Sequence, residues 1–170
     1  SLLAYADRWK AAIDQAGETG ALDRFHSQAF ETLSAGVADA FNVEQEAPRL
    51  IERYDTSGLM DLRNISKRWN NHQRYRDHVT SLGKLLLLAR RLAERGAGFI
   101  TVTTQFVWDM HADKNNATMT EGMGYVGHPF DHAVSAFIED VEARGLRDKI
   151  LLVCCGEMGR TPKINGKGGR

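Results

Sequence analysis

The sequence predicts an α/β fold, with a parallel-sheet core and an N-terminal helical portion. Segments 99–104 (FITVTT) and 150–155 (ILLVCC) are short apolar runs without strict alternation, which is typical of strands buried on both faces. A helical pattern ending in Arg-Gly precedes each run, so the order is helix, strand, helix, strand. Because parallel strands need a long crossover, usually a helix, we expect these two strands to lie parallel in one sheet.

The first eighty residues carry mainly helical patterns. Apolar residues recur at helical spacing over 2–16 and 21–41, and segment 47–54 has a proline where the first turn of a helix tolerates one. Segment 55–80 is the least regular and mixes basic residues with Trp, Tyr and His. Two alternatives remain for it, an exposed excursion or an insert that contacts an anion or a partner.

The remainder, 81–170, contains the predicted αβαβ arrangement. One helix is expected over 82–95 and another over about 129–144, and a glycine directly follows each. The polar segment 112–127 between them is too long to be an idle connector. We therefore expect a single domain over 1–170, with a helical portion (1–80) and a sheet portion (81–170).

Composition excludes some classes of function. Lys and Arg together number 22, as do Asp and Glu, so no net charge favours binding to nucleic acid. The longest apolar run is far shorter than a bilayer-spanning helix requires. Residues 1–9 do not have the pattern of a signal peptide.

The adjacent Cys154 and Cys155 would point to opposite faces of a strand, so we expect two small buried side chains rather than a disulfide.

The first predicted strand leads to a pair of potential metal ligands. Asp109 and His111 are two residues apart, so their side chains would share one side if the backbone stays extended. A carboxylate and an imidazole at a strand end supply half of a zinc or manganese site. The alternative is an ordinary polar start to a loop.

The second predicted strand leads to Glu157 and Arg160. In a helical turn, their i, i+3 spacing would allow a simple ion pair. Alternatively, Glu157 binds a metal, and Arg160 grips a phosphate or sulfate with its planar fork of donors. The loop after them is not a P-loop, because no glycine stands six or seven residues before Lys167 and no Ser or Thr follows it.

Two motifs carry a resemblance to a known family. The run 156–165 (GEMGRTPKIN), followed by Gly-Gly-Arg, and the run 108–111 (WDMH) resemble the hallmarks of domain-of-unknown-function family 1501. Segment 85–102 and the helices of 21–54 resemble it too, so the resemblance covers most of the chain. That family is similar to the alkaline phosphatase and sulfatase superfamily, an α/β sandwich with metals at its strand ends.

The resemblance implies a metal-dependent hydrolase of small-molecule phosphate or sulfate esters, exported to the periplasm or beyond. Asp109, His111 and Glu157 would bind a divalent metal (zinc, manganese or calcium), and Arg160 would be the anion clamp. Met158 departs from the superfamily pattern, which has a His ligand there. The family also continues into Asp-His-Trp, and the superfamily's nucleophile comes from an earlier strand. We therefore expect a fragment of a longer protein, inactive by itself; the alternative is a non-catalytic exported binding or scaffold protein that keeps the fold.

Overall fold

The structure is a computed structural model that describes residues 23–27, 36–104, 108–156 and 162–169. The chain divides into two compact units, residues 1–39 and 40–170. In the first unit, residues 23–27 are helical. Helix α1 (Val37–Ala40) lies at the boundary between the two units along the chain. The candidate site lies entirely in the second unit, whose architecture is therefore described in more detail.

Helices dominate the second unit. Helix α3 (His72–Glu94) packs along α4 (Met119–Ala143), and α2 (Pro48–Tyr54) contacts both of them. Two 3-10 turns, Val43–Gln45 and Leu62–Asn64, flank α2 on either side along the chain.

Helices α3 and α4 are both longer than the sequence analysis predicted. Helix α3 begins at His72, inside the segment regarded as irregular, and α4 begins at Met119 and continues through Pro129. The start of α4 is fixed by Thr118, whose Oγ1 accepts a hydrogen bond from the backbone N–H of Glu121 and donates one to the Glu121 carboxylate. This cap satisfies the Glu121 N–H, a donor at the helix start that would otherwise lack a partner.

Two apolar clusters hold these helices together. The first joins α2, α3 and α4 around buried Tyr54, Leu87 and Phe137. The second lies around the start of α4 and includes Trp69, Tyr75, Val79, Met110 and Tyr125. The second cluster matters for the candidate site, because it reaches into the segment between α3 and α4.

The prediction of an α/β fold with a parallel sheet is wrong for the residues that the structure describes, which form helices, turns and irregular segments but no strand. Segments 99–104 and 150–155 do not pair with each other, and a strand cannot form without a neighbour for its backbone groups. Side chains such as Val102 and Leu152 pack against the first cluster, while Phe99 is 90% exposed and Leu151 87% exposed. Cys154 and Cys155 are free and exposed, so their predicted burial is wrong as well.

Candidate functional site

Asp109 and His111 lie in the irregular segment between α3 and α4. The distance from His111 Nε2 to Asp109 Oδ2 is 4.0 Å, and the two side chains are 52% and 43% exposed. Their polar ends are therefore near each other and accessible to a small ligand. These two side chains form the core of the candidate site.

The residue between them is an anchor in the second cluster. Met110 is only 3% exposed and packs against Gly122 of α4. A Cβ atom added at Gly122 would lie 2.7 Å from both Cγ and Sδ of Met110, so only glycine leaves room for this contact. Trp108 makes an edge-on contact with Phe130, with ring centroids 5.3 Å apart. These contacts hold the segment against α4 and leave the side chains of Asp109 and His111 partly open to solvent.

The chain turns sharply directly after His111. Ala112 has a φ of 53°, in the left-handed region that residues other than glycine rarely adopt. Its N–H donates to the carbonyl of Ala117 at 3.1 Å. Asp113 Oδ1 accepts hydrogen bonds from the backbone N–H groups of Asn116 and Asn115, and these bonds lower the pKa of Asp113 below its ordinary value. Asp113 therefore closes the turn as a carboxylate.

Residues from the irregular segment 55–80 support this turn. The N–H groups of Asn70 and Asn71 donate to the carbonyls of Lys114 and Asn115, at 3.0 and 3.1 Å. The side-chain amides repeat the pairing, because Asn70 donates to Asn115 and Asn71 to Asn116. This part of segment 55–80 is thus a support for the candidate site, which neither of the two alternatives for the segment had included.

The glycine-rich loop near the C-terminus also reaches His111. Asn165 Nδ2 donates to the His111 carbonyl at 3.2 Å, and the N–H of Met119 donates to the carbonyl of Gly168 at 2.8 Å. Glu157 and Arg160, predicted as metal ligand and anion clamp, lie outside the described residues. Loop 162–169, which follows them, thus contacts the segment that carries Asp109 and His111. Sequence reasoning missed Asn165, whose only signal was its place in an Asn-Gly turn.

Asp109 and His111 fit a divalent metal as two of its ligands. Two ligands of one tetrahedral zinc ion lie about 3.4 Å apart, given bonds of about 2.0–2.2 Å. The observed 4.0 Å is close to this value, and both side chains are exposed enough to adjust. Within the described ranges, however, no group of three or more His, Cys, Asp or Glu residues is placed to hold an ion. The α/β fold on which the predicted hydrolase description depends is therefore wrong for the described part, which is helical, and that part shows only two of the expected metal ligands.

In the parts of the chain that the structure describes, no helix is both long and apolar enough to cross a bilayer, as predicted.

Comparison with known proteins places the chain in a family. No curated protein and no solved structure matches the sequence. A family model described as "Protein of unknown function (DUF1501)" matches residues 2–170. The predicted family is therefore confirmed, and the chain belongs to DUF1501.

Proposed function

We propose that this protein supplies part of the active site of a metal-dependent hydrolase of phosphate or sulfate esters. The observation that carries the proposal is the half-exposed Asp109–His111 pair, with its polar ends 4.0 Å apart and loop 162–169 bound to the same segment. A relationship to alkaline phosphatases and sulfatases belongs to the proposal and rests on the resemblance of the sequence motifs. Export from the cytoplasm is part of the same proposal and has the same basis.

Asp109 and His111 would bind zinc, manganese or calcium through a carboxylate oxygen and an imidazole nitrogen. A divalent ion supplies Lewis-acid chemistry, in which it polarises the ester and generates a nucleophile at neutral pH. Glu157 is proposed as a third ligand and Arg160 as the residue that binds the anionic group of the substrate, both on sequence grounds. The guanidinium of Arg160 suits this role because its planar fork matches phosphate and sulfate oxygens. The substrate class is a small-molecule ester.

Metal content tests the proposal most directly. The protein is loaded with zinc or manganese, freed of excess ion, and analysed for metal as wild type, Asp109→Asn and His111→Ala. We expect both variants to retain less metal than wild type, because each loses one donor. Asp148→Asn is the matched control, since Asp148 is an exposed turn residue outside the site. Equal metal in wild type and both site variants would overturn the proposal.

Hydrolysis of aryl phosphate and aryl sulfate then separates the two functional alternatives. In a longer polypeptide containing this chain, metal-dependent turnover that Asp109→Asn abolishes, and Asp148→Asn does not, supports the hydrolase. Metal that binds in stoichiometric amount to a longer polypeptide containing this chain, without turnover of either ester, favours the non-catalytic binding or scaffold protein instead.

A further inference from the structure

We propose that loop 162–169 is a clasp that fixes the backbone of His111, and that Asn165 is the positioning residue in it. The effect of this clasp on metal binding rests on the proposed function. The clasp itself is a structural relationship and can be tested without any metal. It concerns a residue that would touch neither the metal nor the substrate but determines where His111 stands.

Asn165 uses both ends of its side-chain amide. Its Nδ2 donates to the His111 carbonyl at 3.2 Å, while its Oδ1 accepts from the N–H groups of Lys167 and Gly169, each at 2.9 Å. Its backbone N–H donates to the Gly169 carbonyl at 3.0 Å, and its carbonyl accepts from Gly168 N–H at 2.9 Å. One residue therefore both closes the loop and attaches it to the candidate site.

The two glycines at the end of the loop allow the close approach. Gly169 is buried, and a Cβ atom added there would overlap the His111 carbonyl and lie 2.6 Å from Ala112 N. Gly168 has a φ of 77°, a conformation that suits glycine, and its carbonyl accepts from the N–H of Met119 at the start of α4. The loop is thus bound to the start of α4 through Gly168 and contacts the backbone of His111 through Gly169.

The backbone at this contact point has an unfavourable conformation. Ala112 keeps its φ of 53° although it has a side chain, and it is only 8% exposed. Such conformations persist when the surrounding structure over-determines them, and they are concentrated at functional sites. Here the neighbours that impose the conformation are Asn165, Gly169 and Ala117. The position of His111 is therefore set by contacts distant in sequence, which is how preorganised ligands are held.

Asn165→Asp is the sharpest test of the clasp. It keeps an oxygen that can accept from Lys167 and Gly169, but it removes the N–H group that donates to His111. We expect affinity for Mn²⁺ or Zn²⁺, measured by calorimetry, to fall about 10- to 100-fold, as is typical when a residue supporting a ligand is changed. The added negative charge alone would favour cation binding, so a loss cannot come from charge. Lys167→Ala is the control, because it keeps the backbone N–H and should bind metal as wild type does.

A readout without metal keeps the inference independent of the proposed function. In NMR spectra, we expect the ring resonances of His111 to shift or broaden in Asn165→Asp and in Gly169→Ala, and to stay unchanged in Lys167→Ala. The Met119 amide should exchange faster in Gly169→Ala, because the displaced loop no longer accepts its hydrogen bond. If wild type binds neither ion, the proposed function fails and these resonances still decide about the clasp. Unchanged His111 resonances in both loop variants would overturn the clasp, whatever the metal affinity.

Discussion

Arg90 Nε lies 2.6 Å from Asp140 Oδ2, with the two side chains 0% and 4% exposed. The remaining guanidinium nitrogens of Arg90 contact Glu46 at 2.8 Å and Glu94 at 2.7 Å. Arg144 contacts the same three carboxylates, and Tyr54 Oη donates to Asp140 at 3.1 Å. This ionic cluster links α3 and α4 to the chain segment before α2. Its buried charges are compensated, which is the condition for keeping them out of water.

Removal of the Arg90 guanidinium should destabilise the protein strongly. Arg90→Met leaves Asp140 and Glu46 with one cation fewer in a buried setting, so we expect a loss of about 3–5 kcal/mol in the free energy of unfolding. Urea denaturation followed by circular dichroism measures this. Arg147→Met is the control, because its contact with Glu142 is 3.9 Å long and exposed, and should cost at most about 1 kcal/mol. Similar losses in the two variants would contradict a dominant role for Arg90.

The buried His78 should make stability depend on pH in a defined window. Its Nε2–H donates to the Val126 carbonyl at 3.2 Å, so its Nδ1 accepts from the Thr104 hydroxyl at 2.9 Å, as a neutral ring requires. Burial lowers the pKa of His78 below 6.5, and the hydrogen bond to Val126 only partly offsets this. The unfolded state therefore binds the proton more readily, and stability falls as pH drops below about 6.5, by up to about 1.4 kcal/mol per pH unit.

His78→Gln tests this pH dependence, because glutamine does not titrate. The unfolding free energy of the variant should change less between pH 7 and pH 5 than that of wild type. Glu46 does not affect this comparison. Burial raises the pKa of Glu46, but Arg90, Arg91 and Arg144 lower it by more, so its pKa lies below 4.5. Its stabilising effect is present above pH 4.5 and is lost only at lower pH. Identical slopes in wild type and His78→Gln would show that His78 is not the group responsible.

Local sequence signals predicted parts of the fold well. The C-terminal part of α3 and the glycines after α3 and α4 were predicted, and Gly96 and Gly145 have φ values of 90° and 65°. The start of α4 was misplaced because Pro129 is favoured in a first turn, whereas the cap at Thr118 was overlooked. The error concerns which of two local signals begins the helix.

Contacts between distant residues were beyond prediction from the sequence. An apolar run such as 150–155 has the composition of a buried strand, but whether it forms one depends on partners that the run itself does not specify. The proximity of Asp109 and His111 followed from their spacing, whereas the approach of Asn165 to His111 joins residues 54 positions apart. Side-chain periodicity carries no information about such a pairing.

Gly83 should tolerate no side chain, because α2 and α3 meet there. A Cβ atom added at Gly83 would overlap the carbonyl of Tyr54, and backbone atoms cannot move aside as a flexible side chain can. We expect Gly83→Ala to cost at least about 1–3 kcal/mol, as overpacked cores do. Gly124→Ala in α4 is the control, since nothing lies within 4 Å of its added Cβ, and it should stabilise the helix by about 0.5–1 kcal/mol. Thermal or urea unfolding of both variants measures the contrast.

The contact between Met110 and Gly122 should couple the stability of α4 to the geometry of the candidate site. Gly122→Ala brings a methyl group to 2.7 Å from Met110 Cγ, so the Met110 side chain must shift. We expect the backbone that carries Asp109 and His111 to shift with it. We expect a loss of about 1–3 kcal/mol in stability, together with altered ring resonances of His111. Gly124→Ala again serves as control, because it lies on the same helix without such a contact.

A double-mutant cycle distinguishes this steric contact from a general effect on the helix. Met110→Ala alone should cost about 2–5 kcal/mol, because it leaves a cavity in the second cluster. Once Met110 is shortened, however, the methyl group added at position 122 meets open space, so the double variant should be more stable than the sum of the two losses predicts. We expect a coupling of about 0.5–3 kcal/mol, the range for residues in direct contact. Strict additivity would mean that Met110 does not need the space at Gly122, and that another contact anchors the segment that carries Asp109 and His111.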